Sequence, residues 1–181
     1  MIDVVRLYQG TSYDFEVIEL QQGRSYKDFG PGFYTSADIG QAKSMAEIEA
    51  KRRESKLKRI CCGPKLIGKW LYRYQFDIDQ AKALAVKEFS RADREWVRFI
   101  TFSRSRPGLP HQYDMVIGPR ANDDTNPTIK FNLSGGVGAV GSKAAIDELV
   151  RLLLPFQLQR QYFFATKRAL DCLTLIKKER I

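Results

Sequence analysis

A turn built on two glycines around one proline constrains the fold of this chain more than any other segment. Gly30-Pro31-Gly32 combines backbone angles that are closed to most residues with a fixed proline φ. The next three residues, Phe33-Tyr34-Thr35, have the composition of a strand, and Ser36 can precede a helix. Residues 28–36 are therefore either a plain strand-entry turn or a rigid frame that presents aromatic rings and hydroxyl groups to a planar, polar ligand.

The length and composition indicate one globular domain that covers residues 1–181. The chain is 44% hydrophobic and 12% aromatic, which is enough to bury a core without disulfides or metal. No apolar run approaches the roughly 18 residues that cross a bilayer, and the first residues lack the pattern of a secretory signal. We therefore expect a cytoplasmic protein with no membrane association.

Cysteine and histidine are too scarce to favour a metal centre. Cys61 and Cys62 are neighbours, Cys172 stands alone, and the chain has one histidine, His111. Zinc sites built from these residue types have almost no ligands available, so we expect no metal. His111 lies between proline and glutamine, where a loop residue is more typical than a catalytic base.

Positive charge is concentrated in one part of the chain. The net charge is +9, and residues 43–73 contain ten lysines and arginines against three glutamates, a local excess of +7. Such a stretch is either a solvated helix face or a site for nucleic acid, an acidic protein or a polyphosphate. The basic patch that we assign here consists of Lys51, Arg52, Arg53, Lys56, Lys58 and Arg59.

Hydrophobic periodicity predicts a single α+β domain without repeats or a linker. Trp70, Tyr72, Tyr74 and Phe76 alternate as on one face of a strand. Ser90 is a plausible N-cap for the second predicted helix. Strands are predicted over residues 3–9, 69–77, 113–119, 128–133 and 161–165, and helices over residues 37–59, 91–102, 143–154 and 167–177.

One glycine motif has the form of a dinucleotide-binding fingerprint. Residues 136–141 spell GxGxxG between a predicted strand and a predicted helix. Only forty residues follow, which is too few for a doubly wound sheet, and no acidic residue ends the next predicted strand. We therefore interpret the motif as a flexible glycine loop.

Four separated segments, residues 7–12, 28–36, 113–125 and 161–170, occur in a characteristic order. Together they resemble a bacterial family of unknown function that is grouped with the ADP-ribosyltransferase superfamily. The resemblance runs from about residue 5 to residue 173. It implies an α+β, ADP-ribosyltransferase-like fold in which split antiparallel β-sheets, flanked by helices, enclose an NAD cleft.

The resemblance to the histidine–tyrosine class of these enzymes also implies residue roles. Gln9 takes the place of the usual histidine, Tyr34 would stack on nicotinamide, and Gln161 takes the place of the usual glutamate. These three are the candidate catalytic residues, although neither glutamine supplies charge. The implied cofactor-binding residues are Tyr8, Gln9, Gly10, Thr11, Gly32, Phe33, Tyr34, Thr35, Ser36, Asn122 and Asp123.

The function implied by the resemblance is NAD-dependent transfer of ADP-ribose to a macromolecular acceptor, either a protein or a nucleic acid. NAD is then a substrate, and the basic patch could recruit the acceptor. The protein could also be a toxin that an acidic antitoxin protein neutralises. Two alternatives stay open: a catalytically silent binding module with the same fold, and a nucleic-acid-binding protein that uses the basic stretch.

Overall fold

A computed structural model describes residues 6–20, 26–60, 67–121, 125–153 and 158–181 of the chain. Within these ranges the chain forms seven strands and six helices, so the fold is mixed α/β. In chain order they are β1 (Arg6–Thr11), β2 (Phe33–Thr35), α1 (Ile39–Lys58), β3 (Trp70–Phe76), α2 (Ile78–Ala81), β4 (Val86–Glu88), α3 (Arg94–Ser105), β5 (Met115–Pro119), α4 (Asn126–Leu133), α5 (Lys143–Leu153), β6 (Arg160–Phe164), α6 (Lys167–Leu170) and β7 (Leu173–Arg180).

The strands form two sheets. The first sheet has the order β1-β3-β7 and is antiparallel throughout. The second sheet has the order β2-β6-β5-β4, and its β4–β5 pair is parallel while the other two pairs are antiparallel. The second sheet is therefore mixed, which departs from the expected antiparallel pattern.

The two sheets share one hydrophobic core. Buried side chains of the first sheet, including Leu7 and Tyr74, belong to the same cluster as Phe33 and Phe164 of the second sheet. The opposite face of the second sheet packs against helices, because α3 and α5 contribute buried residues to a cluster that contains Phe163. Helix α1 covers the outer face of the first sheet. The layers are therefore α1, the first sheet, the second sheet, and then helices α3 and α5.

A two-hydrogen-bond bridge joins the sheets at one point. The Tyr8 amide donates to the Ser36 carbonyl (2.7 Å), and the Ser36 amide donates to the Tyr8 carbonyl (2.8 Å). Directly afterwards the chain turns into α1, because the Asp38 carboxylate accepts from the amides of Gly40 (2.7 Å) and Gln41 (3.3 Å). Strand β2 therefore leaves β1 uncovered beyond Tyr8.

Most predicted elements have the expected type, but three predictions are wrong. Residues 128–133 lie in helix α4, which has proline in its first turn, where the missing N–H of proline costs no hydrogen bond. The helix predicted over residues 167–177 ends at Leu170, and the chain then pairs with β3 as β7. Asp93, not Ser90, caps α3, since its carboxylate accepts from two amides of the first turn.

The glycine motif over residues 136–141 follows helix α4 rather than a strand, so the strand–turn–helix arrangement of a dinucleotide site is missing there. Gly138 and Gly141 have positive φ values of 113° and 81°, as expected for a glycine loop. In the described ranges, every helix is too short or too polar to cross a lipid bilayer.

Candidate functional site

A cavity of about 590 Å³ opens where β1, β2, β6 and helix α1 meet. It is lined by segments that are far apart in the sequence, and these include every predicted catalytic and cofactor-binding residue in the described ranges. Asn122 and Asp123 lie outside the described residues. The predicted residues that line the cavity are Tyr8, Gln9, Gly10, Thr11, Gly32, Phe33, Tyr34, Thr35, Ser36 and Gln161.

Strand register explains why Tyr34 and Gln161 share the cavity. Tyr34 lies directly opposite Phe163 in the β2–β6 pair. Side chains two residues apart on a strand point to the same face, so Gln161 lies on the same face of the second sheet as Phe163 and Tyr34. The bridge between Tyr8 and Ser36 then brings the end of β1 beside them.

Tyr34 is held rigidly in the wall of the cavity. Its hydroxyl donates to the Gly30 carbonyl (2.7 Å) and accepts from the Phe29 amide (3.2 Å). Its ring packs against Phe163, with 4.7 Å between centroids. Burial, together with the nearby Asp28 charge, raises the Tyr34 pKa well above its usual value, so the phenol stays neutral.

The Lys27 ammonium lies over the ring of Tyr34, 4.9 Å from its centroid. An aromatic face is electron-rich and attracts a cation at this distance. The ring of Tyr34 therefore already serves as a cation-binding surface within the domain. Sequence reasoning missed Lys27, although it directly precedes the turn of residues 28–36.

The turn itself is fixed from two sides. A Cβ atom on Gly32 would lie 2.4 Å from the Phe163 ring and 2.6 Å from the Phe164 carbonyl oxygen, so only glycine allows this approach to β6. On the other side, His111 Nε2 donates to the Phe29 carbonyl (2.8 Å), while its Nδ1 accepts from the Tyr113 amide (3.2 Å). His111 lies in a loop, as predicted, and burial lowers its pKa.

Asp28 is a buried carboxylate that the sequence reasoning did not select. Its Oδ1 accepts from Arg104 Nε (2.8 Å) in an ion pair, and the two side chains are only 7% and 12% exposed. Its Oδ2 accepts from Gln161 Nε2 (2.9 Å) and from the Ala121 amide (3.1 Å). The only signal in the sequence is its position at the start of the turn, because its partners lie far along the chain.

The β1 side of the cavity offers backbone groups that have no partner among the described residues. Tyr8 uses its N–H and C=O for Ser36, and alternate residues of a strand direct these groups to the same edge. Gly10 therefore directs its N–H and C=O to the same edge of β1, beyond the point where the bridge to Ser36 ends. Among the described residues, Gln9 Oε1 and Thr35 Oγ1 are also buried without a hydrogen-bond partner. Seven other side-chain atoms in the described ranges share this property away from the cavity, so the backbone groups of Gly10 are the feature that a ligand could complete.

Gly10 also determines how closely α1 approaches. A Cβ atom there would lie 1.6 Å from the Ala42 carbonyl oxygen, so no other residue fits. Thr11 differs from its neighbours, because its hydroxyl donates to Glu49 Oε2 (2.5 Å), which also accepts from the Ser12 amide (2.8 Å). The predicted cofactor contact of Thr11 therefore cannot use the hydroxyl proton unless this bond breaks.

The charged side chains that line the cavity are mostly basic. Five lysines and arginines face two carboxylates, and one of the arginines, Arg104, pairs with Asp28. Such an arrangement suits an anionic ligand, since low-dielectric walls strengthen the local positive potential. The basic residues are Lys27, Arg52, Arg104, Arg120 and Lys130.

The predicted basic patch divides into two groups. Lys51, Arg52, Lys56 and Arg59 line a shallow groove of about 360 Å³ on α1, together with Ser55. Arg52 lines the cavity as well, so the groove and the cavity share this side chain.

The other two members make contacts within the domain. Arg53 donates to the Ser12 carbonyl (2.8 Å) and lies 4.2 Å from the Tyr13 ring centroid. Lys58 forms an ion pair with Glu54 (3.0 Å). Arg53 and Lys58 therefore stabilise α1 and the loop after β1, and the other four residues are the members of the patch that line the groove.

The described part of the chain contains no cluster of three or more histidine, cysteine, aspartate or glutamate side chains that could hold a metal ion. Cys172 is buried and is not in a disulfide, and Cys61 and Cys62 lie outside the described residues.

Comparison with known proteins gives one match. The family model described as a protein of unknown function, DUF3990, matches residues 5–175. The chain therefore belongs to this family. No curated protein and no solved structure matches the chain.

Proposed function

We propose that this member of the DUF3990 family is an ADP-ribosyltransferase that cleaves NAD and transfers ADP-ribose to a macromolecular acceptor. The main support is that Gly10, Tyr34 and Gln161 line one cavity, although they come from three distant segments. These are the positions that resemble the nicotinamide-binding and catalytic positions of such enzymes. The proposal also includes an ADP-ribosyltransferase-like arrangement of the two sheets.

The nicotinamide end of NAD fits the chemistry of the Tyr34 wall. A pyridinium ring is a planar cation, and the Tyr34 face already attracts the Lys27 ammonium. The carboxamide of the same ring has one acceptor and two donors. The N–H and C=O of Gly10, which point to the uncovered edge of β1, would pair with them.

The rest of NAD fits the size and charge of the cavity. A volume of about 590 Å³ is within the usual range for small-molecule sites. The lining also includes Arg52, Arg120 and Lys130, cationic side chains of the kind that bind a pyrophosphate.

The proposed reaction breaks the bond between ribose C1′ and the nicotinamide nitrogen. The bonding electrons leave with nicotinamide, which becomes neutral, and C1′ gains cationic character. A nucleophile of the acceptor attacks C1′ from the opposite face and releases its proton. Gln161 would accept a hydrogen bond from a ribose hydroxyl, and catalysis would come mainly from positioning and electrostatic stabilisation.

The groove on α1 supports a polyanionic acceptor. Its described lining contains four cationic side chains and no carboxylate, and it meets the cavity at Arg52. An acceptor bound there, either a nucleic acid or an acidic protein segment, would lie beside the reacting ribose. The same surface could bind an acidic antitoxin, in which case the partner would block access to the site.

Nicotinamide release and transfer of label from NAD test the proposal. We expect the native protein to release nicotinamide and to label a macromolecule in cell extract, and Tyr34→Ala to slow release at least about 100-fold by removing the stacking surface. Tyr13→Ala is the matched control, because Tyr13 is an exposed tyrosine that does not line the cavity. Unchanged release from Tyr34→Ala would contradict the proposal.

Two further readouts separate the alternatives. Saturable NAD binding without nicotinamide release would favour the silent binding module, which Gln9 and Gln161 leave open. Salt-sensitive binding of DNA or RNA without any NAD binding would favour a nucleic-acid-binding protein. Digesting labelled extract with nuclease or protease identifies the acceptor class.

A further inference from the structure

We propose that Asp28 is a positioning residue that holds the Gln161 side chain with its amide oxygen towards the cavity. The pair then explains why glutamine, rather than glutamate, occupies position 161. This inference rests on the proposed function for its catalytic consequence, while the orientation itself can be tested without NAD.

The orientation follows from the hydrogen bonds of the amide. Gln161 Nε2 donates to Asp28 Oδ2 (2.9 Å) and to the Pro119 carbonyl (3.3 Å). An amide nitrogen carries two hydrogens, so both donors are used. Gln161 lines the cavity although its side chain is only 5% exposed, and Oε1 is the polar atom that it can still offer to a ligand.

Asp28 is itself fixed, so it can orient another residue. Its two oxygens accept from the Arg104 guanidinium, the Ala121 amide and Gln161. The charge of the carboxylate is paired with Arg104 inside the protein. Donation to a charged acceptor makes a strong hydrogen bond and draws electron density towards the amide oxygen. Gln161 Oε1 would therefore be a better acceptor for a ribose hydroxyl than an ordinary amide.

A glutamate at position 161 would conflict with this arrangement. One of its oxygens would replace Nε2 and lie about as close to Asp28 Oδ2 as the amide nitrogen does. Two carboxylates at that distance cannot both ionise without a large penalty. The enzymes that this chain resembles place a carboxylate directly at the ribose. Here the corresponding negative charge would lie on Asp28, which would reach the ribose only through Gln161.

A charge-swap cycle tests the pair. Gln161→Glu places two carboxylates opposite each other, and Asp28→Asn removes the negative charge that pairs with Arg104 and accepts from Gln161. We expect each change to slow nicotinamide release at least about tenfold. In the double variant, the amide introduced at position 28 can donate to the carboxylate introduced at position 161. We therefore expect the double variant to release nicotinamide at least about tenfold faster than either single variant. A double variant no faster than the slower single variant would overturn the inference, because two independent structural contacts would give that result.

Glu88→Gln is the matched control, since it also converts the carboxylate of an arginine ion pair into an amide. Glu88 of β4 pairs with Arg160 of β6 in the second sheet and does not line the cavity. We expect its release rate to stay within about twofold of the native rate.

A pH profile adds a readout that a simple packing defect would not change. In Gln161→Glu the two carboxyls would share a proton, so release and the thermal midpoint, each taken relative to the native protein at the same pH, should recover as the pH falls from about 8 to about 5. The double variant should show no such recovery. If Asp28→Asn does not fold, the pH dependence of Gln161→Glu tests the inference by itself. A pH dependence of release and thermal midpoint parallel to that of the native protein would then overturn the inference.

Thermal unfolding without NAD separates the proposed function from the proposed orientation of Gln161. The proteins compared are the native protein, the two single variants and the double variant. If the native protein releases no nicotinamide, the proposed function fails, but coupling between positions 28 and 161 in the thermal midpoints still supports the orientation. If the native protein is active and the midpoints show additive losses, the inference fails and the proposed function stands.

Discussion

The two walls of the cavity differ in how their polar groups are used. In the wall from the second sheet, Tyr34 and Asp28 have their hydrogen bonds satisfied within the protein, and so do both donors of Gln161. In the wall from β1, Gly10 directs its backbone groups to an uncovered edge, and Gln9 Oε1 has no partner among the described residues.

This difference shows which wall is pre-organised and which has polar groups left for the proposed ligand. A side chain whose hydrogen bonds are already made keeps its position when a ligand binds, so the second sheet provides a fixed surface. The backbone groups of Gly10 would gain partners from the proposed ligand, so the β1 wall would provide binding energy. Three changes test the contrast, from the largest expected effect to the smallest.

Gly10→Ala should disrupt the packing of α1 on β1 that forms this wall of the cavity. Its Cβ would meet the Ala42 carbonyl oxygen at 1.6 Å, and both groups belong to backbone that cannot rotate away. We expect the free energy of unfolding to fall by about 3 kcal/mol or more, because α1 must move off β1. Urea unfolding measures the loss.

Gly40→Ala, in helix α1, is the control. The nearest atom to a Cβ on residue 40 would be a carboxylate oxygen of Asp38 at 3.1 Å. Alanine favours a helix over glycine by up to about 1 kcal/mol, so this variant should be neutral or slightly more stable. Equal unfolding midpoints for the two variants would show that α1 does not rest on Gly10.

Lowering the pH should loosen the fixed wall. Burial holds the His111 pKa below its usual value of 6.5, so the unfolded chain binds more protons as the pH falls through 6.5. Stability is therefore complete above this pH and decreases below it, by at most about 1.4 kcal/mol per pH unit. Protonation would also remove the acceptor that His111 Nδ1 offers to Tyr113.

His111 is the only histidine, so urea unfolding at about pH 7, 6 and 5.5 isolates its contribution. His111→Gln removes the titration and keeps a donor for the Phe29 carbonyl. Identical pH slopes for the native protein and this variant would contradict the role of His111 in supporting the turn.

Lys27→Ala should expose the cation-binding face of Tyr34. The probe is the N-methylnicotinamide cation, which has the charged ring of NAD without its phosphates. Removing the competing ammonium should tighten binding of this probe about two- to fivefold, in line with an exposed cation–π contact. Equilibrium dialysis measures the change, and neutral nicotinamide is the control ligand. Equal gains for both ligands would argue against competition between cations.

Local patterns predicted much of the fold. Apolar spacing in α1 and α5 and alternation in β3 depend on neighbours within a few residues, so these elements formed as expected. The C-terminal prediction failed for the opposite reason. Leu175 and Lys177 have good helix propensity, but pairing with β3 outweighs that preference.

The candidate site was predicted as far as the resemblance extended. It located Gly10, Tyr34 and Gln161, all of which line the cavity. It did not locate Asp28, whose importance depends on a guanidinium 76 residues away. A single sequence gives no sign of such a contact, because only the folded chain brings the two charges together.

The order β1-β3-β7 in the first sheet has a consequence for synthesis of the protein. Residues 173–180 pair with β3, whose other neighbour is the strand at residues 6–11. While the chain is still on the ribosome, β3 therefore keeps one edge unpaired until β7 has emerged. The cavity also has no Gln161 until β6 has been made. A truncated chain that ends before β6 would carry the Tyr34 turn but could not assemble the site, so any activity should require a chain that extends through β6.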